Sequence, residues 1–258
     1  MKAEKNMKKL ESLRITTIVD NDFWKEGLRS SWGLSIYVEA STNDGRFNVL
    51  MDTSGSFQTF LHNASRLGLD LTAVEAVLIS HWHGDHCGAL DQVLSLLRPH
   101  TPVYVPSANS SGIRMIRNAS GDPFVCSEPY ELAEGLMSTG EISRGISEHS
   151  LVANVKDKGL VVLTGCSHPG IVNIITSARK VSGENSVYAV IGGFHISSRN
   201  EGARVGKFLK EIDAAITSPC HCTGQAARKE MMKALGKKYV RNGSGKTITI
   251  GQRRRLQS

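Results

Sequence analysis

Residues 73–80, AVEAVLIS, form an apolar run that passes without interruption into HWHGDH. A short aliphatic and β-branched run of this kind reads as a buried strand. A buried strand that ends in three histidines and an aspartate must deliver its end into a cleft rather than into the core. His81 and His83, at i and i+2 in a still-extended segment, point the same way. Asp85 and His86 follow across a turn that Gly84 permits and can face a second centre nearby. One segment can thus seed two metal ions, about 3.5–4 Å apart in typical two-metal sites.

The surrounding pattern supplies the sheets that such a strand requires. SLRITTIVD, GLSIYVEAS and RFNVLMDT read as strands, the last two joined by TNDG, whose Asp44-Gly45 pair is a hairpin signal. SFQTFLHNASRLGL reads as a helix, with Phe57, Phe60, Leu61, Ala64 and Leu67 at helical spacing and Gly68 as its stop. GALDQVLSLLRPH is a helix ended by Pro99, and TPVYVP a strand. Residues 107–150, rich in Ser, Gly and Asn, are expected to form irregular loops and short strands above the core. Beyond them LVANV, GLVVLTGC and SVYAVIGG are strands, and GKTITIG closes the chain as another. GIVNIITSARKV, ARVGKFLKEIDAAI and TGQAARKEMMKALG are helices. Two β-then-α halves of similar size imply two sheets packed face to face with helices outside, in a single domain.

Composition narrows the function classes. At 258 residues and 40% hydrophobic, the chain can bury a large core. No apolar run approaches the roughly 20 residues of a membrane span. The start, MKAEKNMKKLESLRI, lacks the apolar middle of a signal peptide, so a cytoplasmic location is the default expectation. Five cysteines, at 87, 126, 166, 220 and 222, suit reduced thiols better than a disulfide framework. A net charge of +7 favours anionic partners. With aromatics at 6% there is no single-strand stacking platform, so a phosphorylated small molecule is favoured over nucleic acid. Arg253, Arg254, Arg255 and the lysines at 229, 233, 237 and 238 could draw an anion in, although a solvated helix face is the favoured reading of the lysines.

Three further histidines stand just beyond apolar strands: His168 in LTGCSHPG, His195 in GGFHI and His221 in SPCHCTG. His62, His100 and His149 have weaker contexts. Cys220 and Cys222 bracket His221, but in an extended segment neighbours face opposite ways, so joint ligation is not expected.

HWHGDH resembles the His-x-His-x-Asp-His signature of the metallo-β-lactamase fold superfamily, and VLMDTSGS, with Asp52, resembles that superfamily's first motif. WGLS, HNASRLGLDL, LTGCSHPGIVNI, GGFH and HCTG make the chain similar to the branch named after dihydropterin ribofuranosyl-aminobenzene phosphate synthase, over about residues 12–251. The resemblance implies a four-layer αββα sandwich of two mixed sheets, a single domain over 1–258, and two divalent metal ions at the shared sheet edge. It implies that His81 and His83 hold the first metal, and that Asp85, His86 and His221 hold the second. Asp52 would orient a ligating imidazole from behind. The chain departs from the superfamily where the bridging aspartate is usual, having Cys166 there, and His149 is out of the usual histidine's place. His168 is expected to complete the first metal's shell, with Cys166 behind it or bridging.

Such donors suit zinc, with Mn2+, Fe2+ or Mg2+ as alternatives. Two chemistries follow. In a transferase like the synthase, an aromatic nucleophile displaces pyrophosphate from a pterin substrate. In a hydrolase (a phosphodiesterase or nuclease) a metal-activated hydroxide attacks, with Asp85 orienting it and His195 protonating the leaving group. A non-enzymatic module with a degenerate site is disfavoured by the intact histidine set.

Overall fold

The computed structural model of the protein describes residues 7–42 and 45–251. The first half contributes strands β1 (Ser12–Val19), β2 (Ser35–Ser41) and β3 (Arg46–Met51), helix α1 (Phe57–Leu67) and strand β4 (Ala76–Leu78). Short helices α2 (Gly84–Cys87) and α3 (Leu90–Leu94) follow, then β5 (Pro102–Val105), α4 (Ser110–Asn118) and β6 (Asp122–Val125). Four short strands come next: β7 (Tyr130–Ala133), β8 (Leu136–Ser138), β9 (Ile142–Arg144) and β10 (Ile146–Glu148). The second half runs β11 (Leu151–Val155), β12 (Gly159–Thr164), α5 (Ile171–Ser182), β13 (Val187–Gly193) and α6 (Arg199–Glu211). It ends in β14 (Ile216–Cys220), α7 (Gln225–Leu235) and β15 (Thr247–Gly251).

One sheet has the order β15-β1-β2-β3-β4-β5-β6 and the other β14-β13-β12-β11-β8-β7. Both are mixed. In the first, β3 to β6 run parallel, and in the second β12, β13 and β14 do. The four layers follow from the period-2 alternation of side chains along each strand. On β2 and β3, Ile36, Val38, Val49 and Met51 face the second sheet, where they meet Val161, Leu163, Ala189 and Ile191. The intervening Tyr37 and Leu50 face outward, against Phe60 and Ala64 of α1 and Leu90 and Val93 of α3. On the far side, Leu160 and Val162 of β12 face outward against Ile171, Ile174, Ile175 and Ala178 of α5 and Leu209 of α6. These three apolar layers are the αββα sandwich expected from the sequence.

Most elements fall where the sequence places them. Ser56 caps α1 by accepting from Thr59 N–H, and Gly68 ends it in the left-handed conformation. β2 and β3 pair as a hairpin, with Ser41 opposite Arg46; Asp44 of the predicted turn and Arg253, Arg254 and Arg255 lie outside the described residues. Two readings are corrected. Residues 107–150 hold the short strands expected, but they are more regular than loops above the core. They contain a nine-residue helix capped by Asn109, and β6 and β8 extend the two main sheets. The strands there are only three or four residues long, too short to show a period. The helix read as ARVGKFLKEIDAAI starts earlier, at a capping box of Ser198 and Glu201, and stops at Glu211. Asp213 turns the chain with φ of 58°, and the following residues form β14, hidden in the sequence by Pro219. Proline is tolerated there because β14 ends its sheet. Among the described residues no helix is long and apolar enough to cross a membrane.

Parallel strands present their C-terminal ends on one side. β3 and β4 therefore bring residues 52 and 79–86 to one edge, and β12, β13 and β14 bring residues 165–168, 194–195 and 221–222. The two edges meet at Gly165. A Cβ there would collide with Ser80 and stand 3.2 Å from Asp52 Oδ2, so only glycine lets the second sheet approach this closely.

Candidate metal centre

Two groups of donors converge where these edges meet. In the first, His81 Nε2 lies 3.1 Å from His83 Nδ1 and 3.3 Å from His168 Nε2. In the second, His221 Nε2 lies 3.1 Å from His86 Nε2 and 3.2 Å from Asp85 Oδ2. Cys166 Sγ stands between them, 3.2 Å from His86 Nε2 and in one donor group with His81 and His86. Around a tetrahedral cation bound at about 2.0–2.1 Å, neighbouring nitrogens stand roughly 3.3 Å apart. Both groups fit a divalent ion by spacing and by donor chemistry.

The hydrogen bonds behind the donors fix which nitrogen faces inward. Asp52, fully buried with φ of 58°, accepts from Ser80 N–H at 2.7 Å through Oδ1 and from Ser80 Oγ–H at 2.8 Å through Oδ2. Its Oδ2 also takes the Nδ1–H of His86 at 2.7 Å. Since the Ser80 hydroxyl proton is committed to Asp52, Ser80 Oγ must accept from His81 Nδ1–H, at 2.9 Å. One carboxylate thereby sets an imidazole in each group, leaving both Nε2 lone pairs free. The third is set by Asn21, whose Oδ1 accepts from Gly33 N–H and is therefore the acceptor for His221 Nδ1–H at 3.1 Å.

The electrostatics make His81 and His168 ready donors. Burial, reinforced by the neighbouring histidines, pushes the His81 pKa far down, and burial holds His168 at about 4. Both rings are therefore neutral near pH 7. Burial would lower His86 as well, but the Asp52 carboxylate outweighs it and raises the pKa. Burial would raise Asp85; the His221 hydrogen bond and the His86 charge overcome this and hold it at about 2.

The predicted residues thus fall into place as follows. His81, His83 and His168 are brought together, as are Asp85, His86 and His221, with Asp52 behind and Cys166 between. His195 is exposed at the rim, its ring centroid 4.4 Å from that of His168. The turn at Gly84 is the first turn of α2, and it re-aims Asp85 and His86. His149 is buried and both its ring nitrogens are bonded. Its Nε2–H donates to Ile79 O at 2.9 Å and its Nδ1 accepts from Ser138 Oγ at 2.7 Å.

Besides Asn21, four contributors were not foreseen. Glu148, fully buried, accepts from Thr164 Oγ1 and from the N–H groups of Cys166, Ser167 and His168 at 2.8–3.0 Å, clamping the turn after β12. Asp20 accepts from His221 N–H at 2.8 Å. Trp32, 66% exposed, stands with its ring 5.3 Å from that of His221. Cys222 completes a donor group with Cys166 and His221. The only advance signal for Glu148 was its position beside His149, in a segment without readable periodicity.

Comparison with known proteins agrees with this geometry. Residues 33–112 match the Metallo-beta-lactamase superfamily. The chain is 26% identical to 7,8-dihydropterin-6-methyl-4-(beta-D-ribofuranosyl)-aminobenzene-5'-phosphate synthase of Methanocaldococcus jannaschii, over 94% of this chain and 98% of that protein. A solved structure described as a metal-dependent hydrolase of the beta-lactamase superfamily superposes with a TM-score of 0.73 at 26% identity, covering 93% of this chain and all of the other. A diphosphatase of the PhnP family shares the fold alone, with a TM-score of 0.60 at 16% identity over 93% of this chain and 98% of that one. By its four layers and these likenesses, the chain has the metallo-β-lactamase fold and is similar to the dihydropterin ribofuranosyl-aminobenzene phosphate synthase of that archaeon.

Proposed function

We propose that the protein is a dinuclear metal-dependent enzyme acting on a phosphorylated small molecule, with chemistry like that of the similar synthase. The observation that carries this reading is the convergence of two three-residue donor groups on either side of Cys166. His81, His83 and His168 would hold one ion and Asp85, His86 and His221 the other, with zinc best matched to a nitrogen, oxygen and sulfur set. Bound divalent ions polarise a phosphoryl oxygen and stabilise the negative charge of a departing pyrophosphate.

The chain's own residues supply the rest. Asp52 keeps the His81 and His86 rings aimed inward, and Asp85, ionised near pH 7, can also orient an incoming N–H or O–H nucleophile. His195 stands at the rim, open to solvent, where it can contact substrate or exchange a proton with a leaving group. The exposed ring of Trp32 lies beside His221 and offers an apolar surface to an aromatic substrate.

A hydrolytic reading uses the same residues with water as nucleophile, and is supported by the likeness to the metal-dependent hydrolase. Two measurements test both. Elemental analysis of purified protein is expected to find about two divalent ions per chain; none would sink the proposal. Incubation with a dihydropterin pyrophosphate and an aminobenzene ribosyl phosphate, beside a panel of phosphodiesters, is expected to give pyrophosphate release only with the first pair. Turnover of the diesters alone would move the assignment to hydrolysis.

A further inference from the structure

Cys222 lies outside both donor groups and in a segment where alternation would turn it away from the centre. It is nevertheless turned inward. β14 ends at Cys220, and His221 then adopts φ of 51°, which breaks the alternation of an extended chain. His221 and Cys222 consequently face the same way. Cys222 Sγ, Cys166 Sγ and a His221 ring nitrogen all lie within 4.8 Å of one another. Cys222 is half-buried, and its thiol stands 3.6 Å from Cys166 O.

The neighbouring strand makes room for this sulfur. A Cβ on Gly193 would stand 2.6 Å from Cys222 Sγ and would also collide with Gly165 O. The glycine that ends β13 therefore keeps open the space that the second thiol occupies. Three independent features act together here: a left-handed histidine, a glycine without alternative and a buried partner thiol.

We propose that Cys222 is a metal ligand, joining Cys166 to give the centre a second sulfur donor on the His221 side. This rests on the dinuclear reading given above. Two thiolates beside imidazoles select thiophilic cations, so zinc, cobalt(II) or iron(II) is retained where magnesium or manganese is not. Each cysteine surrenders its thiol proton to solvent as its Sγ–metal bond forms, so loading releases protons.

Cobalt(II) provides a readout independent of turnover. Metal-free protein loaded with cobalt(II) is expected to show sulfur-to-cobalt charge-transfer absorption in the near ultraviolet. In Cys222→Ser that band should fall to about half, and in the variant lacking both Cys166 and Cys222 it should vanish. Wild-type protein that binds no cobalt would overturn the metal-centre reading itself. Cobalt bound with an undiminished band in Cys222→Ser would overturn only the role of Cys222. A measurement on unmodified protein guards against a variant that fails to fold. Iodoacetamide should alkylate Cys222 in the metal-free protein and spare it after zinc loading; equal alkylation in the two states would also overturn the proposal.

Discussion

The two edges that form the centre achieve the same end by opposite means. On the first sheet, one stretch, residues 81–86, provides four donors from a single extended-to-helical segment. On the second sheet, Cys166, His168 and His221 come from the ends of two separate strands, and each of those turns holds a non-glycine residue in the left-handed region: Ser167 at 62° and His221 at 51°. Such conformations cost roughly 1–3 kcal/mol each and persist only where the surroundings impose them. The spacing of the four contiguous donors is thus specified by local sequence, whereas the composite edge, like Asp52 at 58° behind the first, is specified by packing. Consecutive residues brace the two. Glu148 clamps the strained turn at 165–168, while His149 grips the backbone at Ile79 and, through its own N–H, Ser80 O at 3.0 Å.

That division can be broken one side at a time. The largest effect is expected from Glu148→Ala, which strands four buried donors and opens the composite edge. A loss of about 3–5 kcal/mol in urea unfolding is expected, since each buried donor left unsatisfied costs about 1–3 kcal/mol; an unchanged midpoint would mean that the turn holds itself.

His149→Gln attacks the contiguous edge and separates itself by pH. Burial holds the His149 pKa at about 4 in the folded protein, against 6.5 for an unperturbed ring. Between these values the unfolded chain binds a proton that the folded chain does not, so the stability present above pH 6.5 declines as pH falls toward 4. Wild type should lose about 2 kcal/mol from this ring between pH 6.5 and 5, at roughly 1.4 kcal/mol per unit. The glutamine variant should show a correspondingly flatter slope, and parallel slopes would remove His149 from the account.

Asp52→Asn touches both edges while leaving their backbones in place. It is expected to weaken zinc binding about 10–100-fold by competition with a chelator. A change confined to one of two zinc ions would show that the carboxylate serves a single group.

How much of this was legible follows from the same contrast. The four layers were readable because β2, β3 and β12 are short apolar runs bounded by turn residues, and α1 and α5 keep helical spacing. The convergence of residues 81–86 was readable because spacing alone dictates it. Grouping His221 with Asp85 and His86 came from resemblance and His168 from its place just beyond an apolar strand, since no spacing rule links strands 80 or more residues apart. The inward turn of Cys222 was not legible because extended-chain alternation fails at His221, where a positive φ cancels it. Glu148 was missed because three-residue strands carry no period and a buried carboxylate has no sequence signature.

The shared carboxylate of Asp52 has one more consequence. Its Oδ2 holds His86 directly and His81 through Ser80, so the two donor groups draw on a single anchoring oxygen. Any displacement of that oxygen therefore reaches both imidazoles together.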